Sequence, residues 1–210
     1  MDEPVPARVR EYAEQAVAYV KRALGVTLEY DSNTLPLLDH YLRSVGDAEG
    51  AAIKLVIATA GAYFGEVVRR SLGGRWELQP SGDAEPRAGV SIGDADWRVV
   101  LPTGLNFSPV GFAASAIAQS DVEDFDCELD APARMRPYVQ QTLSRMGEVS
   151  VEDYYSLCGR LDTLEHVHEV LVAVAAQMMG DAADPSADIA EVEPELAPEP
   201  ITDDPSGAVN

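Results

Sequence analysis

The chain has 210 residues and a formal net charge of −21, from 36 acidic and 15 basic residues. This excess of negative charge repels phosphate backbones and anionic lipid surfaces, so we expect neither a nucleic acid nor a membrane as a partner. The hydrophobic content of 46% is high enough for a folded core.

The two cysteines and the first residues indicate a cytoplasmic protein. Cys127 and Cys158 have no second cysteine at a metal-binding or redox spacing, which favours free thiols in a reducing compartment. Residues 1–4 lack the positive region and apolar run of a signal peptide. The longest uncharged apolar run, residues 55–65, is far shorter than the ~20 residues that span a bilayer.

Three helices are predicted in the first third of the chain. Apolar residues recur at helical spacing from Val9 to Leu24, and Gly25 ends this amphipathic helix. Asp31 or Ser32 is suited to cap a second helix. The third helix, from about residue 48 to residue 72, is apolar around most of its circumference, which is typical of a buried central helix.

After these helices the hydrophobic period changes to that of strands. Apolar residues alternate with polar ones in three stretches, and glycine-containing turns separate them, which predicts an antiparallel meander; the apolar positions are Trp76, Leu78, Val90, Ile92, Trp97, Val99 and Leu101. A short apolar helix is predicted over residues 109–119. Phe125, Cys127 and Leu129 then alternate with acidic residues, which predicts a fourth strand with a wholly acidic exposed face.

Two more helices are predicted before the composition changes. One ends at Gly147, and the other begins at the capping sequence 150–153 and runs to about Gly180. The predicted fold class is therefore α+β, with N-terminal helices packed on a small antiparallel sheet of three to four strands and two C-terminal helices. Residues 1–180 are expected to form one domain.

Residues 181–210 contain nine acidic residues and no Lys or Arg. They show no periodicity, so we expect a disordered acidic tail that cannot bury enough apolar surface to fold. Acidic residues are interleaved there with Val192, Leu196 and Ile201. Two interpretations remain open, a short linear motif for a partner and a segment that only keeps the protein soluble.

The third predicted helix carries the candidate binding site. Tyr63, Glu66 and Arg70 fall on one line of the helix, and Trp76 follows beside them. We predict a small binding patch at Tyr63, Glu66, Arg70 and Trp76. The alternative is an ordinary ion pair between Glu66 and Arg70, worth about 0.3–0.5 kcal/mol. Gly61 and Gly65 lie on a separate face of small residues, which invites close packing by another element.

No catalytic, metal or cofactor site is predicted. Glu165 and His168 have the spacing of half a di-iron ligand set, but the chain contains no second Glu-x-x-His. His168 also falls on an apolar helix face, where a hydrogen-bonded core histidine is common. Cys158 has no histidine at a spacing that would activate it, and the phosphate-binding and nucleophile motifs are absent from the sequence.

The sequences Gly61-Ala62-Tyr63-Phe64-Gly65-Glu66 and Gly73-Gly74-Arg75-Trp76 resemble a bacterial family of unknown function. Its members pair a GAYxGE helix end with GGxW at the following strand, and the resemblance covers residues 24–129. It implies the fold and carries no activity, so no catalytic residue is transferred. Some relatives accompany secretion or toxin gene clusters, which implies an adaptor or immunity-like binding protein.

These observations predict a non-enzymatic cytoplasmic binding or regulatory protein that acts through a protein partner. The sheet face or the line of Tyr63, Glu66 and Arg70 would make the contact. The alternative is a small-molecule-binding domain or a hydrolase-like enzyme with a pocket beside the same line, where Glu66 would be an acid/base or a ligand anchor. The oligomeric state is not predicted.

Overall fold

The computed structural model describes residues 4–45, 50–78, 92, 93 and 95–183. Seven helices lie within these ranges: α1 (Ala7–Leu24), α2 (Leu35–Ser44), α3 (Ala51–Leu72), α4 (Pro109–Ala118), α5 (Arg136–Arg145), α6 (Val151–Tyr155) and α7 (Leu157–Ala183). Four strands lie there too: β1 (Arg75–Leu78), β2 (Trp97–Val100), β3 (Asn106–Phe107) and β4 (Leu129–Asp130). The predicted α+β fold class is confirmed.

Helix α3 is the centre of the fold, as its sequence predicts. Every residue from Ile57 to Val68 is buried, and α1, α2, α4 and α7 pack around the helix. By length and composition alone α3 could cross a membrane, but 72% of its most apolar window is buried inside the protein. Such burial is expected of a core helix.

Two glycines allow neighbouring elements to approach α3 at backbone distance. A Cβ at position 61 would lie 2.7 Å from the Val110 Cα atom of α4. A Cβ at position 65 would overlap the indole ring of Trp76. The predicted close packing on the small-residue face of α3 is therefore present, with α4 and β1 as the partners.

The four strands form one antiparallel sheet in the order β1-β2-β3-β4. The predicted strand at Val90 and Ile92 falls mostly outside the described residues, and Ile92 forms only an isolated bridge with Ala95. Strand β2 pairs with β1 along its whole length, from Arg75 opposite Val100 to Leu78 opposite Trp97.

The predicted fourth strand pairs with β3 but contains only Leu129 and Asp130. The segment before it packs on α4 instead, where a Cβ at Gly111 would clash with the Asp126 carbonyl. The alternation of apolar and acidic residues therefore predicted a longer strand than the protein forms, because most of this segment is not a strand.

The sequence predicts one helix after Ser150, and the structure divides it in two. Ser150 caps α6 as expected, since its hydroxyl accepts the N–H of Asp153 at 3.0 Å. Ser156 then adopts an extended conformation. The Asp39 carboxylate of α2 starts a new helix by accepting the N–H groups of Leu157 at 2.7 Å and Cys158 at 3.1 Å. This cap comes from a distant part of the chain, so local sequence does not reveal it.

The predicted boundary after Gly180 is close to the last described residue. Helix α7 continues to Ala183, three residues beyond that boundary. The prediction of a disordered tail otherwise concerns residues 184–210, which lie outside the described residues.

Substitution of Gly61 tests the close packing of α4 on α3. Alanine is favoured over glycine in a helix by about 1 kcal/mol, so a loosely packed site would be stabilised. Because a new Cβ meets the backbone of Val110 at 2.7 Å, we expect Gly61→Ala to lower the free energy of unfolding by about 1–3 kcal/mol. Urea unfolding measures the change. A Cβ at Gly147 would have no heavy atom within 4 Å, so Gly147→Ala should change stability by less than about 0.5 kcal/mol.

Candidate functional site

The Glu66 carboxylate joins α3 to β1 inside the protein. Glu66 is only 3% exposed. Its Oε1 atom accepts the Trp76 indole N–H at 2.6 Å and the Arg69 Nε–H at 2.9 Å. Its Oε2 atom lies 3.4 Å from Arg69 Nη2 and 3.4 Å from Arg70 Nε. Three side chains therefore share one buried carboxylate, and the charge is neutralised where water does not reach it.

The structure brings Glu66, Arg70 and Trp76 of the predicted site together. The ion pair between Glu66 and Arg70 is present, but Arg69 makes the shorter contact and is the more buried arginine. Arg69 is absent from the predicted site. Its spacing of three residues from Glu66 was a usable signal, since side chains at i and i+3 are neighbours on a helix.

Tyr63 lies apart from this carboxylate and is completely buried. Its hydroxyl accepts the Tyr30 N–H at 2.8 Å and lies 3.0 Å from the Thr34 hydroxyl. Burial raises the pKa of Tyr63, so the hydroxyl stays protonated at neutral pH. Tyr63 therefore holds the segment before α2 against α3, and its hydroxyl is occupied by contacts within the chain.

Arg70 and Glu66 do border a small pocket. Its volume is about 250 Å³, and it is lined by Val5, Arg10, Ala13, Glu14, Tyr30, Glu66, Arg69 and Arg70. The Arg70 side chain is 48% exposed, and its guanidinium lies over the Tyr30 ring, 4.2 Å from the ring centre. Three arginines and two carboxylates therefore surround this pocket.

A larger groove lies between the segment leading into β4 and helix α5. Its volume is about 710 Å³, and its charged lining residues are Arg98, Glu123, Asp126, Glu128, Asp130 and Arg136. Arg98 pairs with Asp126, and Arg136 pairs with Asp130 at 3.2 Å. Within the described residues, neither Glu123 nor Glu128 forms a side-chain ion pair. The sequence signal for this groove was the alternation of acidic and apolar residues from Asp124 onward. It indicated an acidic surface, although most of that segment is not a strand.

The other candidate groups form ordinary structural contacts. His168 Nδ1 lies 3.1 Å from the Thr103 hydroxyl, so the expected hydrogen bond is present, although the side chain is only partly buried and does not belong to the core. Burial, together with the adjacent Asp39 carboxylate, raises the pKa of Cys158 to about 12, so this group is a thiol at neutral pH. Among residues 4–45, 50–78, 92, 93 and 95–183, no group of three or more His, Cys, Asp or Glu side chains is arranged to hold a metal ion.

No family model matches this chain, and neither a curated protein nor a solved structure is significantly similar to it. The resemblance to the bacterial family with the GAYxGE and GGxW motifs therefore stays a prediction. In this structure both motifs have a packing role, because they supply Gly65, Glu66 and Trp76.

Substitution of Glu66 tests whether its main role is structural. Glutamine removes the charge that balances Arg69 and Arg70 in a buried position. We therefore expect Glu66→Gln to lower the free energy of unfolding by about 2–4 kcal/mol. Arg70→Gln is the control, and it should cost less than about 1 kcal/mol because the arginine is half exposed. Equal stability of Glu66→Gln and the unmodified protein would contradict a structural role.

Proposed function

We propose that this protein is a non-enzymatic binding protein that holds a basic segment of a protein partner in the groove between the β4 segment and α5. The observation that carries the proposal is the charge of that groove. Four carboxylates and two guanidinium groups line it. Two of the carboxylates, those of Glu123 and Glu128, are exposed and make no ion pair within the described residues, so they are available to a cationic side chain.

Apolar residues next to the groove extend the same surface. Val139 and Gln140 line the groove, and Leu143 follows them on the same face of α5, at a spacing of three and four residues. Leu143 is 39% exposed, and Met146 at the end of the helix is 38% exposed. A partner segment that combines Lys or Arg with a neighbouring apolar residue is the best complement of this surface.

The state of Glu66 favours binding over acid/base catalysis. A general base needs a free lone pair within reach of a substrate proton. Both oxygens of Glu66 already interact with nitrogen atoms of Arg69, Arg70 or Trp76. Glu66, the acid/base candidate of the sequence, is thus used to hold α3 and β1 together.

Charge reversal in the groove tests the proposal. The variant Glu123→Lys/Glu128→Lys is compared with Glu29→Lys/Glu169→Lys, which reverses two exposed carboxylates that do not line the groove. Fluorescence anisotropy measures the binding of a labelled peptide that contains lysine and leucine, in about 0.15 M salt to screen long-range attraction. The groove variant should bind at least about tenfold more weakly than the unmodified protein.

The control variant should stay within about threefold of the unmodified protein, since its global charge changes equally but its groove is intact. If both variants lose affinity equally, the peptide responds only to net charge and the proposal is wrong. It is also wrong if the unmodified protein does not bind the peptide.

The pocket beside Arg70 supports a second candidate function, the binding of a small anion. Within the described residues the Arg10 side chain makes no ion pair, and its only hydrogen bond is donated to the Val5 carbonyl at 3.3 Å. A small anion would complete the coordination of Arg10 and Arg70 next to the Tyr30 ring. The pocket volume of about 250 Å³ limits such a ligand to a few atoms.

Thermal unfolding with inorganic phosphate tests this second function. Phosphate at about 100 times its dissociation constant would stabilise the folded protein by about 2.7 kcal/mol, which raises Tm by several degrees. We expect Arg10→Gln to abolish this rise and Arg145→Gln, on α5 away from the pocket, to keep it. An equal rise in both variants would show that phosphate acts as a general salt.

A further inference from the structure

Arg160 on α7 is a buried guanidinium that the functions above do not use. It is 7% exposed and lies among three aromatic rings. Its guanidinium carbon is 4.7 Å from the ring centre of Phe112, 4.6 Å from that of Tyr154 and 5.4 Å from that of Tyr155. The rings attract the positive charge through their faces. They do not supply oxygen acceptors, and within the described residues Nε and Nη2 have no hydrogen-bond partner.

The two unpartnered atoms belong to one edge of the guanidinium plane. The N–H bonds of Nε and Nη2 are directed to the same side, with the spacing that matches the two oxygens of a carboxylate. Arg69 shows this arrangement within the same protein. Its Nε and Nη2 atoms lie 2.9 Å and 3.4 Å from the two oxygens of Glu66. Arg160 presents the same pair of donors without the carboxylate.

A buried ionic donor without an acceptor is unfavourable, because its hydration is lost and nothing replaces it. An acceptor that completed the Arg160 edge would remove this penalty. The Asp39 carboxylate is not available for it, since it caps α7 through Leu157 and Cys158. An acceptor for this edge would therefore come from outside the described residues.

Helix α6 covers Arg160 and offers an entry route. It has only five residues and ends at the extended residue Ser156. Tyr154 is 49% exposed, although its ring also lies over the buried guanidinium. The Tyr154 ring therefore reaches from the buried guanidinium to the protein surface. Rotation of an exposed side chain takes nanoseconds or less, so movement of this ring does not require unfolding of the domain.

We propose that the Nε and Nη2 edge of Arg160 binds a carboxylate that enters beside Tyr154. Two sources share this chemistry, a free organic acid and an acidic side chain of a polypeptide. The second source includes this chain's own residues 181–210, which contain nine carboxylates. Arg160 does not line the acidic groove, so this proposal does not rest on the function proposed above.

Nuclear magnetic resonance of the full chain tests the site directly. The Nε–H signal of Arg160 is assigned by its loss in Arg160→Lys. Acetate is then titrated as the free-acid probe into the unmodified chain and into a full-length variant in which the nine carboxylates of residues 181–210 are changed to amides. A synthetic peptide of residues 181–210 is titrated into the same variant, so that the attached tail does not compete for the site. We expect a saturable shift of the Arg160 signal. If the peptide saturates the shift at a concentration at least about tenfold lower than acetate does, the ligand is a carboxylate of a polypeptide. If acetate shifts the signal and the peptide shows no such advantage, the ligand is a free organic acid.

A matched control distinguishes this site from general anion binding. Arg145→Gln removes an exposed arginine outside the Arg160 cluster, and it should leave the shift unchanged. The proposal is overturned if neither acetate nor the peptide moves the Arg160 signal of the variant in which the nine carboxylates of residues 181–210 are changed to amides. It is also overturned if inorganic phosphate moves the signal and acetate does not, because the site would then prefer a tetrahedral anion. If Arg160→Lys does not fold, assignment by through-bond experiments on the unmodified protein keeps the titration decisive.

Discussion

The approach of α4 and Trp76 to the surface of α3 is the constraint on which the rest of the structure depends. Because Gly61 and Gly65 have no side chains, the backbone at Val110 and the indole of Trp76 occupy positions that a Cβ would fill. This approach places α4 on one side of α3 and β1 on another. It also buries Phe64 against Phe107 and Phe112, so helix, strand and short apolar helix share one aromatic core.

The same approach determines what Glu66 does. With the Trp76 ring lying against Gly65, the indole N–H lies 2.6 Å from the carboxylate. Burial then makes the carboxylate dependent on Arg69 and Arg70 for its charge balance. A residue that looks reactive in the sequence thereby fixes the end of a helix against the start of a sheet.

Buried polar contacts between distant segments recur in this fold. Asp39 caps α7 across more than one hundred residues, and Tyr63 holds the segment before α2. Each of these groups has its acceptors or donors within the chain, as buried polar groups require. Arg160 is the exception within the described residues, and for this reason we assign a ligand to it. The carboxylates of Glu123 and Glu128 differ from all of these, because they are exposed and make no ion pair within the described residues.

The sequence by itself determined the elements that local periodicity and capping encode. It predicted α1 with Gly25 at its end, the buried helix α3, the short helix α4 and the strands β1 and β2, since these depend on residues close in the chain. Only the tertiary structure decided the break at Ser156, because Asp39 supplies the cap from α2. It also decided the roles of the candidate site residues. A helical wheel placed Tyr63, Glu66 and Arg70 on one line. In the folded protein the Tyr63 hydroxyl binds the Tyr30 backbone and the Glu66 carboxylate binds the Trp76 indole, whereas the Arg70 side chain is half exposed to solvent. Burial depends on which elements meet, and that information is not local.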